Sequence, residues 1–145
     1  MMLMDPSDLA ASSYFKPSEY ADATALLIEP TVLNEDVRNE FNDQVTYRDE
    51  VVARVTVFAT PAELAGKRPT VILESTTLTH GAIVSTARRA IGGGFAARIE
   101  PYKTKYGNVG QRFGDLDDSV KRLIAEYYEQ RKAEIDAAAA EAPPF

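Results

Sequence analysis

The apolar spacing of this chain turns helical in the middle of a run of strands, and that switch limits its fold more than any other feature. Up to Thr79 the apolar segments read as strands. Over His80–Ile91 the spacing becomes helical, with Ile83, Val84, Ala87 and Ile91 on one stripe, and Thr79 or Ser75 stands upstream as a candidate cap. Gly92-Gly93-Gly94 then stops the helix and leads back into alternation. One helix between a third and a fourth strand excludes the regular strand–helix alternation of a parallel sheet.

The strands around it can be placed in order. Ala23–Leu33 is the first, with Pro30 marking a bulge, an edge or its end. Asn34–Tyr47 is polar and acidic and reads as a loop. Val51–Phe58 is the clearest strand, with Val51, Ala53, Val55 and Val57 on one face and Val52, Arg54, Thr56 and Phe58 on the other. Thr60–Pro69 reads as a connection with a helical turn at most, and Thr70–Thr79 is the third strand. Phe95–Tyr102 and Val109–Phe113 are the two arms of a hairpin. Asp117-Asp118 puts acids at the positive end of a final helix, striped by Val120, Leu123, Ile124, Tyr127 and Tyr128.

That order predicts a mainly β fold with helices. It is a five-stranded OB-like barrel with a helix between strands three and four and a C-terminal helix. The barrel takes residues 23–116, after an N-terminal arm over 1–22 with Tyr14, Phe15 and Tyr20 as aromatic anchors. The final helix takes 117–136, and a short tail over 137–145 ends in Pro-Pro-Phe.

With 145 residues the chain is expected to form one domain with its own core. It holds no cysteine, which excludes disulfides, Cys-zinc sites and thiol catalysis and suits a reducing cytoplasm. Met1–Met4 is a short apolar start cut off by Asp5-Pro6, so no signal peptide is expected, and no apolar run is long enough for a membrane span. His80 is the one histidine and has no co-ligands at metal spacing. Pairing it with Ser75 or Ser85 leaves a catalytic triad without its third member. The three glycines follow a helix and precede a strand, which is not the context of a phosphate loop. No catalytic activity, metal or cofactor is expected.

A net charge of −6 argues against a nucleic-acid partner until its distribution is read. Residues 1–53 hold three basic side chains against eleven acids. Residues 54–113 hold nine against Glu63, Glu74 and Glu100, and residues 114–145 hold four against eight. A basic middle lies between two acidic ends.

The basic middle closes on the hairpin, whose loop interleaves Tyr102, Lys103, Lys105 and Tyr106. Cations for phosphates and flat rings for bases suit a single nucleic-acid strand, and in OB barrels this loop is a principal binding element. Arg54, Arg98, Lys103, Lys105 and Arg112 are the candidate phosphate contacts, and Phe58, Tyr102, Tyr106 and Phe113 the candidate stacking rings. Phe58 and Phe113 read equally well as core residues, and tip lysines also protect a sheet edge from aggregation.

By element order over about residues 23–116, and by its closing Glu141-Ala142-Pro143-Pro144-Phe145, the chain resembles the single-stranded DNA-binding proteins of bacteria and their phages. The resemblance implies sequence-nonspecific binding of single-stranded DNA in replication and recombination, as a homo-oligomer, in the cytoplasm of the host if phage-encoded. It also implies recruitment of replication and repair proteins through Glu141, Pro143, Pro144 and Phe145. In that family an aspartate run on a long tail precedes the tip; here Ala137–Ala140 precedes it, with Glu134 and Asp136 nearby. The alternative is a structural or assembly subunit, such as a phage virion accessory protein, using the same barrel to dock on neighbours.

Overall fold

The alternation over Val51–Phe58 sends side chains to two faces of one strand, and most of both sets is buried. In the computed structural model, which describes residues 14–141, this stretch is the second half of β2 (Gln44–Phe58), paired with β1 (Ala25–Phe41). Val51, Ala53, Val55 and Val57 meet Leu26, Ile28, Leu78, Ile83, Ile99 and Phe15 in the inner core. Phe58 goes the other way and joins Ala25, Leu27, Leu64 and Ile124 in an outer one.

The remaining strands are β3 (Val71–Leu78), β4 (Phe95–Lys103) and β5 (Val109–Gly114). Their order in the sheet is β3-β2-β1-β4-β5 with antiparallel neighbours throughout. This is an OB-like half-barrel, curled and open between β3 and β5. Helix α1 (Pro61–Ala65) follows β2, α2 (Gly81–Ala87) lies between β3 and β4, and α3 (Asp118–Glu141) closes the described chain. The ladder joining β4 to β1 is only Leu26↔Ala97, Leu27↔Ala96 and Ile28↔Phe95. Beyond it β4 leaves β1 and belongs to the β4–β5 hairpin.

Local chemistry explains several boundaries. Thr60 caps α1: its hydroxyl accepts from the Glu63 N–H at 3.2 Å, and Pro61 occupies the first turn. The Glu63 carboxylate in turn accepts from the Thr60 and Thr70 hydroxyls at 2.9 and 2.6 Å, and both hydrogen bonds hold its pKa below the usual carboxylate range, Thr70 most. The cap position of α2 is His80, without a side-chain cap bond, rather than Thr79 or Ser75. Its end passes through a 3-10 turn at Arg88–Ala90, after which the Gly92 N–H donates to the Pro30 carbonyl at 3.0 Å.

The expected loop at Asn34–Tyr47 is instead a β-arm. β1 and β2 continue for 17 and 15 residues and turn at Asn42-Asp43, whose φ angles of 50° and 62° are both left-handed, as in a type I′ hairpin. Register shifts between Pro30 and Val32 and between Asn34 and Val37 bend the arm. Its strands are exposed on both faces, so pairing there demands no apolar alternation, and composition alone imitates a loop.

Two further elements differ in extent. α3 runs on to Glu141 rather than ending at residue 136. It is pinned to β1 by Arg131, whose guanidinium donates two hydrogen bonds to the Glu29 carboxylate, one at 2.6 Å. At the other end Tyr14 bridges Thr77 of β3, and Phe15 is buried with its ring stacked on Tyr20 at 5.3 Å. No described helix is long and apolar enough to cross a membrane.

Candidate nucleic-acid interface

The β4–β5 hairpin sorts its side chains by register. Ile99 faces Phe113 on the inner side, and Arg98, Glu100, Tyr102 and Arg112 share the outer side with Gly110 and Gly114. The tip closes where the Thr104 N–H donates to the Asn108 carbonyl at 2.8 Å and the Gly107 N–H to the Thr104 carbonyl at 3.0 Å. Gly107 sits at φ 84°, a conformation that favours glycine.

On the outer side the two arginines are engaged. Glu100 holds Arg112 at 3.2 Å and Arg98 at 3.6 Å, and the Arg98 Nε also donates to the Asp115 carbonyl at 3.0 Å. Tyr102 is half-buried: its ring lies across Gly110, where a Cβ would come within 2.9 Å of it, and the Arg112 guanidinium covers it at 5.4 Å. The glycine is what lets the ring lie flat on the opposite strand. Tyr102 is thus a packed ring with one side under a cation.

The tip is different. Lys103 and Lys105 are exposed and have no ion-pair partner among the described residues. Tyr106 is 80% exposed, and the Lys105 ammonium stands 5.1 Å from its ring centroid. No acid occurs from Pro101 to Phe113. A mobile-headed cation beside an open ring can take a phosphate and a base together.

Three of the expected contacts lie elsewhere. Phe58 is fully buried, with Tyr127 of α3 edge-on at 5.3 Å, so it packs under the helix and offers no stacking face. Phe113 is half-buried against Phe95 at 5.2 Å on the inner core, which likewise makes it a packing residue. Arg54 is ion-paired with Glu74 of β3, and its Nε is buried without a hydrogen-bond partner among the described residues. Between Arg54 and the hairpin, the outer face carries Ala25, Leu27, Phe58 and Ala96, all covered by α3. The helix therefore separates Arg54 from Arg98, Lys103, Lys105 and Tyr106.

The base of the hairpin is tied to α3. The Lys121 ammonium lies 2.8 Å from the Asp115 carboxylate, which that hydrogen bond and the Leu116 N–H hold below its usual pKa range; Lys121 is raised by the same partner. No family model, curated protein or solved structure matches this chain. The site must be read from its own chemistry.

Residue by residue, the structure brings Arg98, Tyr102, Lys103, Lys105, Tyr106 and Arg112 onto the outer side and tip of one hairpin; Phe113 is on that hairpin but turned to the inner core, and Arg54 and Phe58 lie off it. Glu141 is the last described residue, and Pro143, Pro144 and Phe145 lie outside the described residues. Sequence reasoning missed Phe41, Val45 and Tyr47, exposed on the β1–β2 arm. The signal for them was Asn42-Asp43, two residues that tolerate left-handed φ, set between Val37-Arg38-Asn39-Glu40-Phe41 and Val45-Thr46-Tyr47. Among the described residues no group of three or more His, Asp or Glu side chains is placed to hold a metal ion.

Proposed function

We propose that the protein binds single-stranded DNA without sequence preference, through the β4–β5 hairpin. The observation that carries this reading is the acid-free tip, where Lys103 and Lys105 are unpaired among the described residues and Tyr106 stands open beside Lys105. Its position between the fourth and fifth strands of an OB-like sheet supports the same reading. Arg98 and Arg112 extend the cationic surface along the outer strand, at reduced strength because Glu100 shares them. Binding is electrostatic plus stacking, so it falls with salt and tolerates any base. Titration of a labelled oligo-dT, followed by fluorescence anisotropy beside a duplex control, tests this. Tight binding to the single strand alone is expected; no binding at low salt overturns it.

The second reading, a structural or assembly subunit, is favoured by the β1–β2 arm. A paired, projecting hairpin with Phe41 73% and Tyr47 64% exposed is shaped for a protein contact. Under this reading oligo-dT is not bound, and the arm seats on another subunit.

A further inference from the structure

The β1–β2 arm is the largest feature that strand binding leaves unused. Past the Leu33↔Val51 pair both strands leave the inner core. Val45 and Tyr47 lie opposite Glu40 and Arg38 on one face, and Phe41 projects from the other beside the turn. Over residues 34–50 there are six acids against Arg38 and Arg48. Both arginines are already taken, by Glu40 at 3.3 Å and Glu50 at 3.0 Å. Glu35, Asp36 and Asp43 have no ion-pair partner among the described residues. An acidic arm with apolar knobs repels a phosphate backbone and fits a basic protein surface with exposed apolar groups.

The same molecule carries such a surface. The β4–β5 tip presents Lys103 and Lys105 with Tyr106 80% and Val109 67% exposed. Strand register keeps the two features of one chain apart. β4 is held against the first residues of β1 and runs antiparallel past them, so Lys103 lies about 20 Å beyond Ala97 at roughly 3.3 Å per residue. The arm is the far end of β1. Complementary surfaces at opposite ends of one sheet meet between copies.

We infer that the acidic arm of one copy docks on the β4–β5 hairpin tip of a second copy. Val45 and Tyr47 pack against Tyr106 and Val109, and Glu35 and Asp43, with Glu40 exchanging its exposed pair with Arg38, face Lys103 and Lys105. The apolar rings supply the affinity and the charges the orientation. The contact is heterologous, so it propagates into chains or closes into a ring.

Sedimentation velocity of the full chain without nucleic acid tests this independently of strand binding, so either idea can fail alone. Association that grows with protein concentration at low salt and weakens as salt rises is expected. Two reversed variants carry the decisive arm: Glu35→Lys with Glu40→Lys on the arm, and Lys103→Glu with Lys105→Glu on the hairpin. Each alone should lose the association, and an equimolar mixture should regain it, which also shows that both variants are folded. A wild type that stays monomeric at low salt overturns the inference, as do variants that each associate like the wild type.

Discussion

Tyr102 and Tyr106 stand on one hairpin with opposite environments. Tyr102 is wedged over Gly110 beneath Arg112, and Tyr106 faces solvent beside Lys105. Tyr106→Ala should therefore weaken oligo-dT binding with little change in thermal stability. Stacking contributes about 1–3 kcal/mol per base, or roughly 5- to 160-fold in affinity. Tyr102→Ala should instead lower Tm, since its ring packs on the partner strand; equal effects of both changes on both readouts would contradict the assignment. The sequence could not separate these rings, because both are tyrosines flanking lysine. What decides between them is the glycine on the facing strand, visible only once the register is known. Phe58 is a similar case: its strand has an arginine on the same face, which suggests an open surface, and the docking of α3 together with Leu64 of α1 covers the ring. Phe58→Ala should cost about 3–5 kcal/mol in chemical denaturation. A loss under about 1 kcal/mol would mean that the helix does not seal that face.

At the scale of elements, strand order and the helix between β3 and β4 were legible because each rests on a period set by buried side chains. The arm was not, because solvent on both faces removes the period, and only its turn dipeptide marks it. The connection after β2 holds a single short helical turn, as its sequence suggests, capped by Thr60 and fixed by Glu63. The Glu63 pKa is lowered by its hydroxyl partners, and that of Asp115 by Lys121. A carboxyl depressed in the folded state stabilises above its unfolded pKa. That contribution is lost as the pH falls from the ordinary carboxylate value through the lowered one. Tm should accordingly drop across that acid range, and Glu63→Gln with Asp115→Asn should flatten the drop. A pH profile unchanged by the double substitution would contradict this origin.

For the whole molecule, the central point is segregation of charge: an acidic arm at one end of the sheet and a cationic hairpin at the other, within a chain of net charge −6. Block charges in the sequence already showed a basic middle. Pairing then divided it, committing Arg54, Arg88, Arg98 and Arg112 to acids and leaving Lys103 and Lys105 open. The most direct measurement is the salt dependence of oligo-dT affinity for the wild type and for Lys103→Ala with Lys105→Ala. Each phosphate contact on a single strand contributes about −0.7 to the slope of log K against log salt, so the double variant should be shallower by about 1.4. An unchanged slope, or a wild type that fails to bind at low salt, would contradict the account.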